Sequence, residues 1–264
     1  SGGLGTTSSA NVGAYNLTDT SQGTLILANG PSGANQGLAS NYTLTGGTQD
    51  YTITQRVLSS SGSKAYDANT NALAADITLS NLVSGETLNH SGTASISSAN
   101  AGSYTITNLA GITLADNAGL ASNYTLTGGT HNFTVNPKVI SLSGSRLYDA
   151  TTDAVASDLT TISGLVGSET LNLGGTGSVT NANVASNKTV TLGTLALADN
   201  SGLAANYTLS GGTHQLTINQ RPLAATVARQ YDGTKTAAGS DLSSFDALQG
   251  GETLTLSGSG TVGD

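Results

Sequence analysis

The chain has 264 residues, of which 9% are charged and 36% apolar, with 35 Gly, no Cys, Met or Trp, and a formal net charge of −8. Against roughly 25% charged residues in an ordinary soluble domain, this leaves a thin core of Val, Ile, Leu and a few Tyr, a composition that favours sheets. Eight Lys+Arg cannot form the basic face that nucleic acid or an anionic membrane surface demands, and no apolar run reaches the roughly 18–20 residues of a spanning helix. The absence of Cys excludes disulfides, thiol catalysis and Cys-ligated zinc, and suits a long chain exported unfolded. Ser1 opens without the regions of a signal peptide, so the chain reads as a soluble piece of something longer.

An internal period governs everything else. Asn-Tyr-Thr-Leu recurs at Asn41–Leu44, Asn123–Leu126 and Asn206–Leu209, with spacings of 82 and 83. Tyr-Asp recurs at Tyr66-Asp67, Tyr148-Asp149 and Tyr231-Asp232; Glu-Thr-Leu at Glu86, Glu169 and Glu252; Gly-Gly-Thr at Gly46, Gly128 and Gly211. A continuous parallel β-helix would show a period nearer 20 residues, and none lies inside the longer one. The unit is a discrete domain of about 82 residues.

In chain order, residues 1–55 match the second half of a unit, with an insertion of about seven residues within 16–40. Residues 56–137 form a complete unit, opened by Gln55-Arg56-Val57. Its Asn71–Asp76 stretch and the copies of it are the one place where a single helical turn fits. Tyr104–Thr107, Asn123–Thr127 and Phe133–Val135 alternate apolar residues with Thr, the period of half-buried strands. In Leu114–Tyr124 an Asp precedes a strand-opening Tyr, which reads either as a tyrosine corner, its phenol bonded to upstream backbone, or as a plain core tyrosine. Residues 138–221 are the second complete unit, with strands over Val190–Leu192 and Leu216–Ile218 and seven or eight short strands in all. Such spacing predicts a sandwich or barrel. Residues 222–264 match the first half of a unit, with a strand over Leu254–Leu256.

On Tyr-Asp-Ala/Gly (Tyr66, Tyr148, Tyr231), Gly-x-Glu-Thr-Leu with its variants (Glu86, Glu169, Glu252), Ala-Asn-Val/Ala (Asn11, Asn100, Asn183) and Asn-Tyr-Thr-Leu, the chain resembles the YDG/MBG-type repeats of large secreted bacterial adhesins of the filamentous-haemagglutinin kind. Only Tyr231-Asp232-Gly233 keeps the full triplet. The resemblance implies a tandem array of β domains that spaces or builds an extracellular cell-surface structure. It implies no catalytic residue and names no ligand.

Charges at repeated positions are informative in so lightly charged a chain. Arg56, Lys138 and Arg221 mark the junctions, while Lys64, Arg146 and Arg229 precede the Tyr-Asp pairs by two residues. Both sets suit structural ion pairs or carbonyl contacts. The recurring acids, Asp67, Asp149 and Asp232, Asp76, Asp158 and Asp241, and Glu86, Glu169 and Glu252, are weak calcium candidates: Ca²⁺ takes 6–8 oxygens, but no calcium-loop motif is present. Turn-forming Asp with basic partners is the plainer reading. Asp149 and Glu169 as a glycosidase pair would recur identically in every unit, in a chain without cofactor signals, so no enzyme and no cofactor is expected. His131 and His214, replaced by Gln49 in the first copy, are expected on a strand's solvent face. Asn-x-Thr sequons at Asn16, Asn41, Asn123, Asn132, Asn187 and Asn206 mostly belong to the repeat pattern.

Aligned on 138–221, Ser1 corresponds to Leu173 and Asp264 to Asn181, so the two end segments overlap by about nine residues. Either the chain is a window on a longer array, or the tail of one molecule completes the head of the next in a strand-complemented filament. The expectation is therefore tandem immunoglobulin-like β-sandwich domains with a mechanical role, partnered by neighbouring repeats. The rival is an adhesion module whose acids or Thr faces bind calcium or host or matrix glycan.

Overall fold

A computed structural model describes residue 7, residues 9–17, residue 23 and residues 25–261. The described chain is all-β: its regular elements are strands and single 3-10 turns, and none of its helices is long and apolar enough to cross a membrane. It divides into two compact units, one of residues 1–64 with 69–135, the other of residues 65–68 with 136–264.

The first unit contains β1 (Gly13–Leu17), β2 (Gln49–Ile53), β3 (Arg56–Val57), β4 (Ser59–Ala65), β5 (Asn71–Leu73), β6 (Ile77–Ser80), β7 (Asn89–Ser95), β8 (Gly102–Thr105), β9 (Ile112–Ala115), β10 (Tyr124–Thr125) and β11 (His131–Asn136). One sheet has the order β6-β4-β11-β8 and a second β5-β7-β9, while β1 pairs with β2 and β3 runs parallel to β10. Strand β11 buries His131, Phe133 and Val135 and turns Asn132 and Asn136 outward, the period-two pattern read from the sequence. Leu58, Leu88 and Tyr124 form a buried cluster, packed by Leu79, Leu82, Leu114, Ala121 and Leu126.

The second unit contains β12 (Lys138–Val139), β13 (Ser141–Leu147), β14 (Asp153–Val155), β15 (Thr161–Ser163), β16 (Asn172–Gly174), β17 (Thr176–Ser178), β18 (Ala185–Thr189), β19 (Ala196–Ala198), β20 (Tyr207–Thr208), β21 (His214–Asn219), β22 (Ala225–Val227), β23 (Thr236–Ala238), β24 (Leu242–Phe245) and β25 (Ser259–Thr261). Its main sheet has the order β15-β13-β21-β18, with β13 and β21 parallel at the centre. A layer made of the pairs β14–β17 and β16–β19 lies against it: a Cβ added at Gly177 in β17 would come within 2.9 Å of Val190 Cγ1. Ile140, Leu142, Leu159, Leu216 and Ile218 fill the space between the layers.

Short elements depart from the expected limits. The single turn expected at Asn71–Asp76 is strand β5 followed by a 3-10 turn, Ala74–Asp76, repeated at Ala156–Asp158 and Gly239–Asp241. Strand β18 stops at Thr189, so Val190–Leu192 contributes only an isolated bridge, Ser178 to Thr191. Leu254–Leu256 forms no strand.

Candidate functional site

The Tyr-Asp motif makes a tight turn braced by the basic residue before it. In the second copy, Asp149 Oδ1 accepts from the Thr151 N–H and hydroxyl, both at 2.9 Å, and pairs with Arg146. Arg146 also donates to the Thr151 carbonyl at 2.7 Å, and its Nε lies 3.6 Å from Asp158 at the end of the following 3-10 turn. Desolvation pushes the Asp149 carboxyl up, but the Thr151 donors and the Arg146 guanidinium together outweigh it and hold the carboxyl below the usual range. Asp158, desolvated and repelled by Asp149, moves up despite the Val155 N–H and Arg146. The third copy repeats the turn: Thr234 donates to Asp232, and Arg229 pairs with Asp232 and bonds the Thr234 carbonyl. The residue after Asp is left-handed in all three, Ala68 at φ 63°, Ala150 at 62° and Gly233 at 79°. That is why the triplet's consensus ends in glycine.

The motif's tyrosine reaches a carboxylate more than one period away. In the second unit Glu169 accepts from Tyr66 on Oε1 at 2.6 Å and from Tyr207 on Oε2 at 2.5 Å. The two rings meet edge to face, with centroids 5.4 Å apart and planes at 77°. The Tyr207 hydroxyl also accepts from Val166 N–H at 3.0 Å, tying the Gly-x-Glu turn to the Asn-Tyr-Thr strand. Gly202 leaves the carboxylate room, since a Cβ there would lie 2.8 Å from Glu169 Oε2. Tyr66 is 5% exposed, and burial, then the Glu169 hydrogen bond and charge, push its phenol up to about 12. Burial and Glu169 raise Tyr207 as well, against the Val166 N–H. Both phenols are therefore neutral donors well past neutral pH, which suits a permanent lock.

Half of this lock occurs twice more. In the first unit Tyr124 donates to Glu86 and accepts from Val83 N–H at 3.1 Å. The tyrosine-corner reading of Tyr124 is thus met in one respect, because the phenol does bond upstream backbone; Asp116 instead accepts the Ala121 N–H at 2.7 Å. In the second unit Tyr148 donates to Glu252, a bond that, ahead of burial, raises its phenol. Tyr231 is 95% exposed and Tyr42 71% exposed.

The junction cations act locally. Arg56 in β3 clamps the Asn81 carbonyl and side chain, Arg221 donates to the Tyr148 carbonyl at 2.7 Å, and Lys138 in β12 stands opposite Tyr207. Among the described residues no three His, Cys, Asp or Glu side chains gather at one point. Within the second unit Asp149 and Asp158 meet on Arg146, Glu169 holds its tyrosines, Asp241 accepts the Ala238 N–H at 2.9 Å, and Asp67, in the 65–68 segment, is exposed; in the first, Asp76 ends its 3-10 turn. The expectation for the histidines is overturned. His131 and His214 are 4% and 6% exposed, because their strand positions share the face of Phe133 and Leu216. Each Nε2 can only donate to its carbonyl, Leu126 or Leu209 at 2.8 Å, so Nδ1 accepts, from Ser60 Oγ and Leu142 N–H respectively. Gln49 reproduces the first of these bonds with Nε2 on the Leu44 carbonyl at 3.0 Å. Sequence reasoning also missed buried Asn206, which hydrogen-bonds Tyr66, although its place in the repeated Asn-Tyr-Thr-Leu was the available signal.

A family model described as the YDG domain matches residues 48–133 and again residues 130–215. No curated protein and no solved structure matches the chain.

Proposed function

Because the chain belongs to the YDG domain family, we propose that it is a structural segment of an extracellular bacterial adhesin or surface fibre, extending it through tandem β repeats without turning over a substrate. One observation carries the reading. The Tyr66–Glu169 and Tyr148–Glu252 bonds span 103 and 104 residues, more than the 82–83 of the period, so each ties the Tyr-Asp turn of one copy to the Gly-x-Glu turn of the next. A bond of that span serves cohesion along an array. Asp149 and Asp232 brace their turns through Thr151 and Thr234, and the Tyr66 and Tyr207 phenols are held too basic for proton transfer near neutral pH.

The test is surface display. Antibody raised against this chain should label intact cells of the producing bacterium, and brief protease treatment of those cells should remove the label. Labelling that requires lysis would overturn the extracellular reading.

A further inference from the structure

The opening and closing strands of a complete repeat lie side by side and run the same way. In the repeat 138–221, β13 near its start and β21 at its end are parallel over six residue pairs, from Leu142 opposite His214 to Leu147 opposite Asn219. Just ahead of β13, β12 is likewise parallel to β20, with Lys138 opposite Tyr207. Single bonds extend this seam: Ile140 N–H donates to the Thr208 carbonyl at 3.0 Å, and Tyr148 N–H to the Asn219 carbonyl at 2.9 Å. The preceding repeat is built alike. There β3 is parallel to β10 and β4 neighbours β11, while Ser60 N–H donates to the Thr130 carbonyl and Tyr66 N–H to that of Asn136, both at 2.9 Å.

The seam is sheltered. Strands β13 and β21 are the two central strands of the order β15-β13-β21-β18, so each has a further strand on its outer edge. Leu142 on β13 and Leu216 and Ile218 on β21 are almost fully buried. Main-chain bonds between two such strands are strengthened by the low dielectric around them.

This topology fixes how a lengthwise pull is met. A repeat drawn out along the chain is loaded at the N-terminal end of β12 and at the C-terminal end of β21, and because the paired strands are parallel these points lie at opposite ends of the seam. The strands are then drawn past each other along their length, and the evenly spaced bonds of the parallel ladder carry the load together. In an antiparallel pair both pulls would act at one end, and the ladder would open bond by bond.

We infer that the seam of β12–β13 with β20–β21 is a mechanical clamp, which keeps a repeat folded when the array is pulled lengthwise. This rests on the structural-segment reading and adds the load that the segment bears. Strands β14 to β19 lie outside the load path until the clamp gives.

The Cys-free chain allows a direct test, because handles can be attached at chosen thiols of the full chain. Pro137→Cys with Gln220→Cys loads the seam from its two ends, and Leu147→Cys with Asn219→Cys pulls apart two facing residues at one end; all four positions are exposed. In single-molecule pulling, the first pair is expected to unfold at about twice the force of the second or more, since forced unfolding follows the unfolding rate and the first pull must break the ladder together. A second facing pair at the other end, Ser141→Cys with Thr213→Cys, where Thr213 N–H meets Ser141 Oγ at 3.0 Å, should give the low force as well, which separates direction of pull from any local effect of a substitution. Equal forces for the end-loaded and facing pairs, or a higher force for the facing pairs, would overturn the clamp. Surface display is read on cells and is independent of this result: display with equal forces would leave an unclamped spacer, and a failure of display would leave the clamp standing.

Discussion

At Ala150 the backbone holds φ 62° with a side chain that disfavours it, and Ala68 stands at 63°. Replacing either by Gly should stabilise the chain by about 1 kcal/mol, the left-handed cost removed less the entropy glycine brings. Thermal melting will show it as a raised Tm, and no comparable gain is open at Gly233. Gly144 is the opposite case. A Cβ there would sit 1.8 Å from the Asp158 carbonyl, because the 3-10 turn lies directly on β13. Gly144→Ala should therefore cost about 2–3 kcal/mol, in the range of overpacked cores, and urea titration will place its midpoint lower.

At the scale of the elements, the Glu169 lock joins three turns and strands through one carboxylate. Tyr66→Phe keeps the ring packed on Tyr207 and removes one donor, so the expected loss is roughly 1–2 kcal/mol. Alkali offers a separate readout. Since folding raises the Tyr66 phenol to about 12 from an ordinary 10.0, the folded chain keeps a proton that the unfolded chain gives up. Stability from this group is full below pH 10 and is lost as pH rises to about 12, on the order of 2–3 kcal/mol in all. Denaturant midpoints across that window should fall in the native chain, with a shallower fall in Tyr66→Phe. On the acid side, Asp149 is held below its usual range, so its contribution is present above that range and fades as pH drops through the lowered value.

At the scale of the molecule, Asp149 and Glu169 spend their carboxylates on Arg146 and on Tyr66, and among the described residues no three acidic or His side chains gather at one point. Calcium or a chelator should accordingly leave the melting temperature where it was, whereas bound calcium would raise it by mass action. A calcium-induced rise of several degrees would favour the adhesion-module reading.

Much of this was legible in the sequence, and the boundary has a physical cause. The period, the all-β character, the single turns near Asp76 and Asp158 and the importance of the Tyr-Asp, Gly-x-Glu and Asn-Tyr-Thr marks all follow from local alternation and turn chemistry. Local pattern also misled: Thr-rich alternation at Leu254–Leu256 promised a strand where the structure has irregular backbone, and polar His131 and His214 looked like surface residues. Their burial depends on which face of β11 and β21 meets the opposing layer and on a carbonyl five residues back that satisfies Nε2. The pairing of Tyr66 with Glu169 was likewise out of reach of the sequence, because a carboxylate 103 residues away is selected by how the chain returns on itself. By itself the sequence determined which residues recur and which strands alternate; only the tertiary structure decided which recurring residues touch, since a hydrogen bond across a fold is a property of the closed chain.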